Sequence, residues 1–271
     1  MSGGDNRRSA EKRRCPLTLY VKANRRVAIK RRSNGVNRPR FGPRIATAHY
    51  RAFAATLRRG CRLLHDRNPT RYTDADPLKI VWVDPAQIEQ ISGRPAREYG
   101  SVVDGKWDES GEFILNDRCY KSMLQHFEEG VPWKETPLFR WLMERIESDD
   151  PTAWTREQYL LRLQSIDGLY EQIEQKGYLS QQELFESSPA ETLQANNDCV
   201  HPYINEVGVD ISRRGRLLWR SGGRHRLFIA KLLDLPEIPV KIWSRHREWQ
   251  KTRSEESVDK DHPDLRKSLS K

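Results

Sequence analysis

The stretch from Val207 to Ile242 limits the possible folds more than any other part of this chain. Val207, Val209 and Ile211 alternate with Gly208 and Asp210, which predicts a half-buried strand. Arg214-Gly215 turns the chain, and Leu217-Leu218-Trp219 returns as a second strand. Ser221-Gly222-Gly223 then interrupts it, and residues 224–234 read as a helix with Leu227, Ile229, Ala230, Leu232 and Leu233 on its apolar side. Ile238-Pro239-Val240-Lys241-Ile242 is a final strand, with its proline near the start, where a missing donor is tolerated. Strands joined through a glycine turn and a helix predict an α/β (α+β) domain.

Upstream, Lys79–Val83 is a β-branched run closed by Asp84-Pro85. Residues 93–111 carry four glycines and show no clear period. Asp117 can cap a helix running to about Glu129, where Gly130 stops it. Thr136-Pro137 pairs a cap with proline at the first helical position and opens a helix to about Ser148. Thr155 with Gln158 forms a capping box for a long helix ending at Gly177, with Leu160, Leu163, Ile166, Leu169 and Ile173 facing inward. Ser180 with Glu183 repeats the device for a short helix. Beyond Trp249 the composition is charged and predicts a frayed tail.

Charge is distributed unevenly. Residues 1–72 hold 20 Lys and Arg against Asp5, Glu11 and Asp66, a net +17, while the remainder is −7 within an overall +10. Residues 1–43 are rich in Arg, Gly, Ser, Asn and Pro and lack the apolar content to order themselves. From residue 44 the pattern changes. Tyr50, Phe53, Leu57, Cys61 and Leu64 recur at helical spacing, with Arg51, Arg58, Arg59 and Arg62 largely elsewhere. This basic amphipathic helix would suit three surfaces: its own domain, an anionic membrane surface, or, together with the arm, a nucleic acid. No apolar run approaches the roughly 18–20 residues of a membrane span, and none follows the basic start as in a signal peptide. The four cysteines, Cys15, Cys61, Cys119 and Cys199, lie far apart without zinc spacing, as expected of free thiols in a reducing cytoplasm. Of the tryptophans, residues 107, 133, 154, 219, 243 and 249 read as core or edge packing before base-stacking platforms.

The chemistry concentrates at Ser221-Gly222-Gly223-Arg224-His225-Arg226. A helix start presents unpaired backbone N–H groups and partial positive charge, so it attracts anions. The glycines let backbone approach a ligand, Arg224 and Arg226 can add bidentate contacts to phosphate, and His225 can exchange a proton near neutral pH. A tight β–α turn whose basic side chains pair with acids explains the same residues.

The stretch from Gly223 to Ala230, followed by Leu235-Pro236-Glu237-Ile238-Pro239-Val240, resembles the second conserved box of ParB-type domains. In that box a Gly-x-(Arg/His)-Arg turn opens a helix and an "IPV" strand follows. Val81–Ile88 is similar to that fold's first strand and turn, and Ile166–Tyr178 to its helix ending in a "GY" step. The resemblance implies a ParB/sulfiredoxin-like small mixed sheet over residues 78–245 with an insertion at about 100–155. Outside it lie a basic arm (1–43), a helix and linker (44–72) and a charged tail (246–271). It also implies a nucleoside triphosphate or diphosphate at the helix start, CTP as in ParB proteins or ATP as in sulfiredoxins, with Mg2+.

Departures narrow what the resemblance can mean. Sulfiredoxins carry a cysteine where this chain has Arg224, and partition proteins continue into a helix-turn-helix domain for which too few residues remain. ParB-like serine kinases carry an acid where this chain has Gly222. Glu206 and Asp210, beside the strand that leads to the turn, are candidate catalytic acids together with His225, and Asp84 or Glu89 are further carboxylates near the same sheet edge. The expected activity is therefore nucleotide binding, with phosphotransfer or NTP hydrolysis possible. The alternatives are a non-enzymatic nucleic-acid binder using the basic arm, or a membrane-surface scaffold.

Overall fold

The computed structural model describes residues 43–93, 99–195, 201–253, 255 and 261–265. The expected disordered arm, apart from Pro43, lies outside the described residues, as do Cys15 and Cys199. The first element, α1 (Pro43–Arg67), is followed by β1 (Ile80–Val83), β2 (Gln90–Ile91) and β3 (Ser101–Val103). Five helices come next: α2 (Arg118–Phe127), α3 (Pro137–Glu147), α4 (Arg156–Lys176), α5 (Gln181–Ser187) and α6 (Pro189–Ala195). The chain closes with β4 (Val207–Ile211), β5 (Leu217–Ser221), α7 (Arg224–Leu232), β6 (Ile238–His246) and α8 (Arg247–Thr252).

The caps written in the sequence set the helix starts. The Asp117 carboxylate accepts from the N–H groups of Cys119 and Tyr120, and the Thr136 hydroxyl oxygen accepts from Phe139. Thr155–Gln158 and Ser180–Glu183 both close full capping boxes, and Gly177 at φ 75° ends α4. Local hydrogen bonds between residues two to three apart suffice for the starts, so these boundaries follow from sequence.

The six strands form one mixed sheet in the order β1-β6-β4-β5-β2, with β3 also pairing to β6. β6 is the longest strand: its first half pairs antiparallel with β1, its last residues pair parallel with β3, and β4 lies parallel along its other edge. Strand β3 falls in the glycine-bearing segment that shows no period in sequence, and β2 lies just before it. Their two- and three-residue lengths are too short for alternation to register.

Both faces of the sheet are covered. Val207, Val209 and Ile211 point into the main core with Val240, Ile242 and the helix residues Leu227, Phe228 and Ile229. On the other face, Trp243 packs with Leu57, Cys61, Tyr72 and Tyr99, so α1 lays its apolar stripe on the sheet. Of the three surfaces open to α1 in sequence, its own domain takes the apolar face. Tyr50 also stacks on the buried His201 at 4.7 Å between ring centroids.

The half-buried reading of β4 needs correction, since all five of its residues are buried. Its polar face meets a second buried layer instead of water. There Asp210 accepts from the Ser92 hydroxyl at 2.7 Å and the Arg220 guanidinium at 2.7 Å, and also from the Ser244 hydroxyl. The frayed-tail expectation is also corrected. β6 continues to His246, α8 follows, and Asp264 returns to accept from Arg245 and from Trp249 Nε1. Among the described residues no helix is long and apolar enough to cross a membrane.

Candidate functional site

The glycine turn divides the residues that follow it. Gly222 and Gly223 have φ of 76° and 61°, and Gly223 caps α7. A Cβ on Gly223 would stand 2.7 Å from Val207 Cγ2 and 3.1 Å from Val207 Cα, so close packing against β4 by itself requires glycine there. Gly223→Ala is expected to cost about 2–4 kcal/mol, from overpacking plus a left-handed backbone. Urea denaturation measures it, and a variant as stable as the parent would contradict this packing.

Successive helical positions rotate by about 100°, so Arg224 and Arg226 leave α7 in opposite directions. Arg226 turns inward, where its guanidinium donates to Glu206 at 3.2 Å and to the Asn205 carbonyl. Glu206 is buried and also accepts from the Gln181 N–H at 2.6 Å. Burial pushes the Glu206 carboxyl up to about 7, against the pull of Arg226, the Gln181 N–H and Lys241. The pair therefore binds the turn to the start of α5 from inside the fold. Asp210, fully buried, has its oxygens taken by Ser92, Arg220 and Ser244.

Arg224 and His225 face the other way, onto a cavity of about 310 Å³. Its remaining wall comes from α3, α4 and the loop between them: Trp141, Arg145, Thr152, Trp154 and Arg162, with Cys119 and Leu163 at the base. Arg224 lies over the Trp219 ring at 5.2 Å, and Arg145 over the Trp141 ring at 5.0 Å. Arg145 is bound to Asp150 at 2.7 Å and to the Thr152 hydroxyl. Arg162 and Arg224 are exposed, and among the described residues neither forms an ion pair with a carboxylate. Two positive charges thus converge beside a helix start, between indole rings.

The surroundings of His225 do not favour the proton exchange near neutral pH expected of it. Burial, with Arg162, Arg224 and Arg226 close by, lowers its pKa to about 3, so it is neutral at pH 7. Its Nδ1 lies 3.2 Å from Arg162 Nη2, and the neutral ring accepts that N–H. Cys119, remote from the turn in sequence, reaches the same cavity. Burial pushes its thiol up to about 12, so it presents no thiolate nucleophile.

Of the eight residues singled out by sequence, Arg224 and His225 line the cavity, and Gly222 and Gly223 shape the turn beside it. Ser221 ends β5. Arg226, Glu206 and Asp210 belong to buried pairs that the cavity does not include. Sequence reasoning passed over Arg145, Arg162 and Trp141. Arg162 carried a signal, because Tyr159, Arg162, Leu163 and Ile166 share one helical stripe and a charge there interrupts an inward face. Among the described residues no three His, Cys, Asp or Glu side chains cluster to hold a metal. The chain matches no known family model, no curated protein and no solved structure.

Proposed function

We propose that this chain binds a nucleoside di- or triphosphate in the cavity between α3, α4 and the start of α7. The supporting observation is the convergence of Arg162 and Arg224 with the first turn of α7, beside Trp141 and Trp154. Guanidinium groups and a helix N-terminus favour phosphate oxygens, while indole rings favour the flat face of a base. The volume, at the small end of ligand clefts of about 300–1,000 Å³, suits a nucleoside with its phosphates toward solvent. The ParB/sulfiredoxin-like resemblance of the Gly223 box points to the same end of the same helix, and CTP and ATP are the ligands it implies.

Binding without phosphoryl transfer fits the residues better than a kinase. Transfer needs a carboxylate to orient an acceptor and another to hold Mg2+, and no carboxylate lines the cavity among the described residues. Glu206 and Asp210 are engaged within the fold.

The test is a panel of CTP, ATP, ADP and GTP, with and without Mg2+, read by calorimetry. Arg224→Ala and Arg162→Ala should each remove a charge-assisted hydrogen bond of about 1.5–3 kcal/mol, weakening binding by roughly one to two powers of ten. Both side chains are exposed, so the variants should remain folded. Unchanged affinity in both variants, or no affinity of the parent for any of the four, would sink the reading.

A further inference from the structure

The outer face of α1 is unlike its inner one. At 100° per residue, positions 44, 51, 55 and 62 fall within about 20° of one line along the helix, with 48 and 59 some 40–60° to one side. These are Arg44, Arg51, Ala55, Arg62, Ala48 and Arg59, and all six are exposed. Among the described residues none of the four arginines forms an ion pair with a carboxylate, in contrast with Arg58, which meets Asp76 at 3.1 Å. No acid occurs in α1 before Asp66.

We propose that this face is a binding surface for duplex DNA, with the helix seated in the major groove and its arginines on the flanking phosphates. Shape and charge both favour that partner. The B-DNA major groove, about 12 Å wide, admits an α-helix about 10–12 Å across. The alanines between the arginines add little width, so the helix body can approach the groove floor. A-form RNA is disfavoured because its major groove is deep and narrow. A lipid surface is disfavoured because it requires a broad apolar face, and most of that of α1 is used within the fold: Leu57 and Cys61 are buried against Tyr72, Tyr99 and Trp243, which leaves Ile45 and Leu63 as its exposed large apolar side chains beside four arginines. The contacts are to backbone phosphates, so the surface carries little sequence preference.

The test uses the full chain, with Arg51→Gln, Arg59→Gln and Arg62→Gln combined. Its readout is the salt dependence of binding to a duplex DNA of mixed sequence. Each lost phosphate contact lowers the slope of log K against log salt by about 0.9, so the triple variant should lose about 2–3 from the slope. Its thermal midpoint and nucleotide affinity should match those of the parent, because the three side chains are solvent-exposed and outside the cavity. A slope unchanged from the parent overturns the proposal. It is equally overturned if the parent binds A-form RNA duplex as tightly as DNA. Loss of affinity for vesicles of phosphatidylcholine and phosphatidylserine, with DNA binding retained, would assign the stripe to a membrane instead.

Discussion

Above about pH 7, where Glu206 is ionised, Arg226→Ala should destabilise the protein by about 3–5 kcal/mol, because it leaves a buried carboxylate without its cation. The geometry behind this is the 3.2 Å pair between a guanidinium whose side chain is 11% exposed and a carboxylate that is fully covered. Removing both charges should cost much less than removing one. In a double-mutant cycle, Glu206→Leu with Arg226→Leu is expected to recover most of the loss, since well-packed apolar residues commonly replace a buried pair at little cost. Urea denaturation of the four proteins measures it. Equal stability of Arg226→Ala and the parent would show that Arg226 faces solvent and is available to a ligand. Any fall in nucleotide affinity in Arg226→Ala has to be measured where the variant is folded, which is why Arg162 and Arg224 are the better probes of the site.

Asp264→Ala should have an effect of similar size, about 3–5 kcal/mol, although its position near the end of the chain suggests none. Its carboxylate accepts from the buried Arg245 guanidinium and from Trp249 Nε1 at 3.0 Å, and it forms an ion pair with Arg253, whose Nε lies 3.3 Å away. Burial by itself would raise its pKa, but Arg245, Arg253 and the Trp249 N–H outweigh burial and hold the carboxyl well below the usual carboxylate range. A depressed carboxylate stabilises the fold fully above its unfolded pKa of about 3.9, and that contribution drains away as pH falls toward the folded value. The parent should therefore lose stability steeply below about pH 4. Asp264→Asn should be less stable than the parent at pH 7 and should lose less on going to pH 3. Parallel stability–pH curves for the two proteins would show that the clasp does not persist in solution.

The amino-acid sequence by itself determined what short-range chemistry can specify. Asp117, Thr136, Thr155 and Ser180 open their helices as written, because a cap and the N–H it satisfies are two to three residues apart. The strand–glycine turn–helix–strand order from Val207 to Ile242 and the apolar stripe of α1 were legible for the same reason. Where Arg224 and Arg226 diverge, helical periodicity contained the answer. A start reading Arg-His-Arg cannot aim both arginines at one ligand.

Tertiary structure alone decided the rest. Alternation in β4 looked like a wet face, but it faces a buried polar layer whose partners Ser92, Arg220 and Ser244 come from three other segments. The wall opposite Arg224 is built by residues 141–162, largely from the stretch that reads as an insertion, and Cys119 arrives from another helix. The return of Asp264 to Arg245 belongs to the same class. Caps and periodicity constrain a chain over a few residues, whereas a cavity or a buried ion pair is fixed by which distant faces the packed sheet brings together.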